Sequence, residues 1–312
     1  MKYLVTGGAG FIGSNIVEEI VKRGKTVRVL DNLSTGKEEN LAPFKGKIEF
    51  QKGDIRKEKD VEKALKGVEF VIHQAALRSV ARSVEQPSIT NDVNVNGTLN
   101  LLLKAKEAGV KRLVYASSSS VYGDCEIFPQ KETYTPNPIS PYAVSKLAAE
   151  YYCRMFTKTM GLDTVSLRYF NVFGPRQNPE SKYSAVIPAF IAVLVKDKPC
   201  VIDGDGTQSR DFTYVANVVD ANLAACEAKG AEGRAFNVAC GEEYSIIEVA
   251  EGLKKILGKK IELVYGPKRP GDVQRTNADI TGLRKVLGVE PRFDFYEGLK
   301  QTVDWFVKNY KF

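Results

Sequence analysis

Lys2-Tyr3-Leu4-Val5-Thr6-Gly7-Gly8-Ala9-Gly10-Phe11-Ile12-Gly13 is the stretch that decides the fold. An apolar run, Lys2 to Thr6, enters a turn with spaced glycines, and a helical pattern follows with Ile12, Ile16, Val17, Ile20 and Val21 on one face. Gly7 and Gly10 allow a tight turn and a close backbone approach to a pyrophosphate. Gly13 lets the helix lie against the sheet, and the helix amino terminus, with Phe11 and Ile12, faces the phosphates. Glycine-rich turns are common, so the context matters: this one follows a strand, opens an amphipathic helix and precedes a second strand ending in Asp31. Asp31 can accept hydrogen bonds from both adenosine ribose hydroxyls, and its charge repels a 2′-phosphate, so the expected cofactor is NAD, with Asn32 beside it. Asp54 and Ile55, after the third strand, are placed to meet the adenine edge, although a plain helix-capping aspartate reads almost as well.

Working outward, apolar runs alternate with amphipathic stretches. Strands are expected at Lys2–Thr6, Thr26–Leu30, Ile48–Lys52, Phe70–His73, Leu113–Ala116 and Thr164–Leu167, with a return strand near Arg234–Val238. That alternation implies an α/β class, a Rossmann-type doubly wound parallel sheet with helices on both faces. The chain of 312 residues, 43% hydrophobic, can bury a large core. We expect an NAD-binding domain from 1–171 plus about 212–240. A smaller discontinuous α/β substrate domain is expected from about 172–211 and 241–312.

Composition excludes several classes. No window approaches the length of a membrane-spanning helix, and the amino terminus is too short and glycine-broken for a signal peptide core. The five cysteines form no C-x-x-C pair, which points to reduced thiols in a cytoplasm with neither a disulfide framework nor a metal site. The single histidine, His73, rules out a multi-histidine metal site and is expected to be structural. The net charge of +7 is scattered among acids, as in Lys52-Gly53-Asp54-Ile55-Arg56-Lys57-Glu58, so a solvated surface is expected and no nucleic-acid groove.

One constellation carries chemistry. Ser140 can cap, and Pro141 can begin, a helix on which Tyr142 and Lys146 share a face; Gly161 stops it. A fixed ammonium close to a phenol favours the phenolate, and a hydroxyl from the upstream Ser118 could share the substrate proton. Alone, Y-x-x-x-K is also what an ordinary helix surface looks like.

Together these residues resemble the extended short-chain dehydrogenase/reductase family. The shared features are Thr6-Gly7-x-x-Gly10-x-x-Gly13, Asp31, Gly53-Asp54-Ile55, the run Ser117-Ser118-Ser119-Ser120-Val121-Tyr122-Gly123, and Tyr142-x-x-x-Lys146. Within it the chain is most similar to the nucleotide-sugar 4-epimerases, through Asn94-Val95-Asn96-Gly97-Thr98, Leu167-Arg168-Tyr169-Phe170-Asn171-Val172-Phe173-Gly174-Pro175, Arg210-Asp211-Phe212 and Arg269-Pro270-Gly271-Asp272. The resemblance implies that Tyr142 takes the proton of the sugar 4-hydroxyl, that Lys146 lowers its pKa and holds the nicotinamide ribose, and that Ser118 bonds the reacting oxygen. It implies that C4 passes a hydride to bound NAD, and that a flat 4-keto sugar turns over before the hydride returns. It counts Ala75, Asn94 and Tyr169 with the cofactor residues, Tyr169 by the nicotinamide end. Ser119, Ser120, Asn171, Val186, Arg210, Arg269, Asp272 and Thr276 are counted with the UDP-sugar residues. Surface ion pairing is the bland alternative for the arginines.

Near relatives separate on few positions. Dehydratases of this family carry an acid just before Val-Tyr-Gly, where this chain has Ser119-Ser120, so dehydration is not expected. UDP-glucuronate 4-epimerases tend to have threonine where this chain has Asn171. Galactose-restricted epimerases place a tyrosine four residues after the aspartate matching Asp272; here it is Thr276, which leaves room for an N-acetyl group. The stretch Arg78–Ser83 and the run Tyr183–Pro188 also resemble the acetamido-sugar members. The expected activity is UDP-GlcNAc/UDP-GalNAc interconversion, with UDP-Glc/UDP-Gal alongside. A UDP-glucose-only epimerase, a UDP-glucuronate 4-epimerase and a non-catalytic NAD-sensing protein are the alternatives. A homodimer is expected from the resemblance, through helices near 95–108 and 142–160.

Overall fold

The computed structural model describes residues 2–179, 185–268 and 273–310. Six strands in chain order, β1 (Lys2–Thr6), β2 (Thr26–Asp31), β3 (Glu49–Lys52), β4 (Phe70–His73), β5 (Arg112–Ser118) and β6 (Asp163–Tyr169), pair with a seventh, Arg234–Val238, in one sheet. All its pairings are parallel. The spatial order runs β3, β2, β1, β4, β5, β6 and then the seventh strand, so the winding reverses between β1 and β4. In such sheets the crevice at the carboxyl ends beside the reversal is where ligands bind.

Alternate residues of each strand feed opposite faces. On one face Val5, Val29, Ile72, Val114 and Val165 pack with Ile16, Val17 and Ile20 of α1 (Phe11–Lys22) and with Val218 and Ala221 of the Val215–Glu227 helix. On the other, Leu4, Leu30, Val71 and Leu113 meet Val61 and Leu65 of α2 (Glu58–Leu65), Leu101 and Leu102 of the Gly97–Glu107 helix, and Ala149 and Cys153 of the Pro141–Met155 helix. Each such aliphatic side chain, fully buried, contributes about 1.5–3 kcal/mol. A third cluster gathers Phe173, Ile187, Ile191, Phe212, Tyr214, Val249, Leu253, Phe295 and Phe306, with Tyr244 stacked on Phe295 at 4.2 Å. Phe212 and Tyr214, expected with the sheet domain, pack in this third cluster, whereas the helix that follows returns to α1.

β5 and β6 are longer than their apolar runs. Ser117 and Ser118 continue β5 and Arg168 and Tyr169 continue β6, because ladder pairing with the neighbour, Ser118 opposite Tyr169, holds polar residues as well as apolar ones. This extension carries Ser118 to the carboxyl edge of the sheet. His73 does act as a strut there. Its Nδ1 lies 2.6 Å from Thr6 Oγ1 and its Nε2 2.9 Å from Thr98 Oγ1, and full burial pulls its pKa down to about 3. No helix among the described residues is long and apolar enough to cross a membrane.

Candidate active site

The glycine turn is built as its spacing implies, with one difference. Gly7 has φ +69°, and a Cβ on it would stand 2.6 Å from the Ala75 amide nitrogen, so the loop after β4 can close only over a glycine. A Cβ on Gly13 would lie 2.2 Å from the Gly7 carbonyl oxygen. Gly13 therefore seats α1 on the glycine turn itself, closer than on the sheet. Gly10 caps α1 with no side-chain bond, and no acid stands in its first turn, so the amides of that turn remain for an anion. Asp31, buried at the end of β2, accepts from the Ala9 amide (3.0 Å) and the Leu33 amide (2.8 Å); burial raises its pKa, and these two bonds partly offset the rise. A turn shaped by glycine, an uncapped helix start and a carboxylate one strand away fit a dinucleotide.

Asp54 does not cap a helix. The N-cap of α2 is Lys57, without a side-chain bond. Asp54 instead accepts from the Arg56 amide (2.9 Å), Arg56 Nη2 (2.8 Å) and Asn32 Nδ2 (3.0 Å), and the Arg56 hydrogen bonds hold its carboxyl far below the usual range. Ile55 turns its side chain into the core and gives its carbonyl to Asn100 Nδ2 (2.6 Å). Asn94 is buried and fully engaged: Oδ1 accepts from the Leu77 amide (2.8 Å), while Nδ2 donates to Leu77 O (3.0 Å) and Ser145 Oγ (3.0 Å). It thereby ties the loop after Ala75 to the helix of Tyr142. The Tyr169 phenol accepts from Gln74 Nε2 (2.9 Å) and Asn222 Nδ2 (2.7 Å), and its backbone lies beside Ser118.

Ser118, Tyr142 and Lys146 come together. Ser140 Oγ accepts from the Ala143 amide (3.2 Å), Pro141 fills the first helical position, and Gly161 ends the run at φ +74° after a wide turn over Phe156–Met160. The Tyr142 hydroxyl hydrogen-bonds Ser118, whose Oγ also accepts from Ser120 Oγ (2.9 Å) and the Ser120 amide (3.2 Å). Lys146 is buried; its Nζ donates to Ala116 O (2.7 Å) and lies 5.9 Å from the centre of the Tyr142 ring. The expected depression of the phenol is not found. Enclosure by protein dominates and raises the Tyr142 pKa; the Ser118 hydrogen bond and the charge of Arg78 pull it back. The same enclosure brings Lys146 down to about 7. A lysine brought down to about 7 carries only part of its charge at neutral pH, so it favours the phenolate less than its spacing alone implies.

Across the crevice, Thr276 Oγ1 donates to Asn171 Oδ1 at 3.3 Å, joining two residues 105 positions apart. Asn171 is exposed, with φ +26°, and Thr276 is half-buried. The Ser209–Arg210 strand lies alongside, its Ser209 amide donating to Gln274 O (3.0 Å) and its Ser209 carbonyl accepting from the Thr276 amide (3.2 Å). Arg210 Nη1 donates to Ser209 O (2.7 Å) and its side chain is mostly buried. Val186 begins the Val186–Leu194 helix and packs on the third cluster. Arg269 and Asp272 lie outside the described residues, as do Tyr183 and Ser184.

The NAD dependent epimerase/dehydratase family matches residues 3–239. The chain belongs to it. It is 40% identical to a putative UDP-glucose 4-epimerase of Methanocaldococcus jannaschii, over 98% of both chains. Among solved structures it is similar to the UDP-glucose 4-epimerase of Thermotoga maritima, with 40% identity, TM-score 0.95 and full coverage of both chains. It is equally similar to the UDP-N-acetylglucosamine 4-epimerase of Methanobrevibacter ruminantium, with 42% identity, TM-score 0.94 and 98% coverage of each. As in other members of this NAD-dependent family, NAD is the cofactor, and the glycine turn and Asp31 are the residues here shaped to receive it.

Three features of this family member were not read from its sequence. The charge of Arg78, in the stretch Arg78–Ser83, acts to lower the Tyr142 pKa. Behind the catalytic helix, Glu150 receives Arg168 Nη2 (2.6 Å), Arg168 Nε (3.1 Å) and Ser117 Oγ (2.7 Å), all buried. Asp211 is fully buried near Thr276. Arg78, Arg168 and Asp211 stand in segments shared with the family and Glu150 follows Lys146 at helical spacing, but none of these patterns gives the partner.

Proposed function

We propose that this NAD-dependent epimerase acts on UDP-hexoses at C4, with UDP-GlcNAc and UDP-GalNAc as its preferred pair and UDP-Glc and UDP-Gal as slower substrates. The observation that carries the substrate is the contact between Thr276 and Asn171. Asn171 follows β6 at the carboxyl edge of the sheet, and in this reading the short Thr276 side chain bonded to it leaves the space that a bulky one would take from a 2-acetamido group.

In this reading the crevice receives the sugar with its 4-hydroxyl at Tyr142. Ser118 holds the same oxygen, and Tyr142 in its phenolate form takes the proton and, as the phenol, gives it back. Ser120 fixes the Ser118 hydroxyl from behind. NAD, when bound, supplies the hydride acceptor and donor. The main chain of Gly7, Gly10, Phe11, Ile12 and Gly13 would hold its pyrophosphate, Asp31 and Asn32 its ribose, and Asp54, Ile55, Ala75 and Asn94 the surrounding loops. Asn171, Arg210, Arg269 and Asp272 would hold the diphosphate and uridine of the substrate, with Ser119 and Val186 also in its pocket; segments 172–211 and 241–312 would form the smaller substrate domain. The exposed apolar residues Leu103, Val144 and Tyr151 on the Gly97–Glu107 and Pro141–Met155 helices support a homodimer through that face.

Thr276→Tyr tests the sugar assignment. kcat/KM for UDP-GlcNAc should fall at least about tenfold more than kcat/KM for UDP-glucose, a difference of about 1.4 kcal/mol. Equal losses on both would remove Thr276 as the selector.

A further inference from the structure

Asp211 is a carboxylate with none of its surface exposed and no cation among its hydrogen-bond partners in the described residues. Its partners are three backbone amides from two other parts of the chain. Oδ1 accepts from Cys240 (3.0 Å), and Oδ2 accepts from Gly241 (3.0 Å) and Ala278 (3.3 Å). Its own amide donates to Thr276 Oγ1 (3.4 Å). The Asp211 carboxylate therefore ties the turn after the Arg234–Val238 strand to the segment of Ala278, its backbone amide reaches Thr276 of that same segment beside the Ser209–Arg210 strand, and Thr276 in turn donates to Asn171 Oδ1. Burying a lone carboxylate is costly, and packing alone would favour an apolar residue there. A carboxylate is the one side chain that accepts at every lone pair and donates nowhere, so it can gather amides that would otherwise have no partner.

We propose that Asp211 is a positioning residue of the sugar-nucleotide crevice, which fixes the Thr276 segment and the turn at Cys240–Gly241 against the strand of Arg210. It touches no substrate itself. Its effect falls on substrate affinity, since Tyr142, Lys146 and the glycine turn hang on the other side of the crevice. The proposal rests on the reading of that crevice as the UDP-sugar site.

The titratable groups that act on Asp211 are Cys240 and Glu243 on the turn after the Arg234–Val238 strand, and Glu243 is itself paired with Arg275 at 2.7 Å. Burial raises Asp211 to about 7, the three amides opposing the rise, and holds the Cys240 thiol up at about 12. Below about pH 7 the protonated acid must turn one oxygen into a donor and release an amide, so positioning weakens as pH falls.

The experiment compares the wild-type enzyme with Asp211→Asn, each with its bound NAD, using UDP-GlcNAc turnover from about pH 6 to about pH 8 and calorimetric binding of UDP alone. An asparagine can satisfy at most two of the three amides and points an N–H at the third. KM and the UDP dissociation constant should rise about tenfold or more at about pH 8, with kcat within about twofold and NAD content unchanged. Wild-type KM should rise as pH drops through about 7, and the variant's should stay level. Unchanged KM and UDP affinity in the variant would overturn the proposal, as would a parallel loss of kcat, affinity and NAD. Should the variant fail to fold, a wild-type KM that is flat across this range overturns it equally. A wild type that binds UDP but turns over no UDP-sugar defeats the functional reading instead, and the UDP affinities still decide the role of Asp211.

Discussion

Removing Glu150 should loosen the catalytic helix more than any other single change on its hidden face. Glu150 lies one turn beyond Lys146 and two beyond Tyr142, and its side chain and that of Arg168 are 7% and 4% exposed. In Glu150→Ala the Arg168 guanidinium keeps the Tyr122 hydroxyl at 2.9 Å and little else. Stranding a buried charge in this way costs about 3–5 kcal/mol. A domain of typical stability holds about 5–15 kcal/mol in all, so a large part of the total is at stake. At roughly 2 °C per kcal/mol for a chain of this length, Tm should fall by about 6–10 °C. The double variant Glu150→Leu/Arg168→Met strands no charge, and it should recover more than about half of that loss. Differential scanning calorimetry on the NAD-loaded protein reads both. A single variant within about 2 °C of wild type, or a double variant no better than the single, would refute the assignment of this pair as the anchor.

Two further outcomes follow from the site and the surface. Tyr142→Phe keeps the ring and removes the proton acceptor, so kcat should fall by at least about a thousandfold while calorimetric UDP binding stays within about threefold; retained turnover would move the base elsewhere. Light scattering should give twice the chain mass, and Val144→Glu with Tyr151→Glu should reduce it to one; a wild-type monomer would discard the proposed homodimer face.

The parts of this molecule legible in its sequence are those set by local chemistry. Gly7 and Gly13 could be read because the turn leaves no room for a Cβ, a constraint that acts within a few residues. Tyr142 and Lys146 share a face through helical spacing, with cap and stop residues that behave as such. The extension of β5 and β6 was missed because Ser117, Ser118, Arg168 and Tyr169 owe their strand conformation to each other across the ladder, which no apolar pattern records. The direction of the Tyr142 shift was misjudged for a related reason. Spacing gives proximity to Lys146, but the balance between its charge and desolvation depends on burial, and burial is a property of the whole fold. The sequence around Asp54 fits an adenine-edge residue and a helix cap alike, and only the fold excludes the cap, since Lys57 takes that position while Asp54 pairs with Arg56 and Asn32. Asn171 and Thr276 were placed together by resemblance alone, and nothing in either segment announces a partner 105 residues away.

The central claim is a hydride borrowed from the sugar and returned to it by cofactor that the protein already holds. Purified protein, incubated with UDP-GlcNAc and no added nucleotide, should produce UDP-GalNAc in proton NMR spectra until the two sugars reach a fixed ratio, with no net NADH absorbance. The same final ratio is expected when the reaction starts from UDP-GalNAc. A spectrum that stays UDP-GlcNAc alone, even after saturation with NAD, would contradict it.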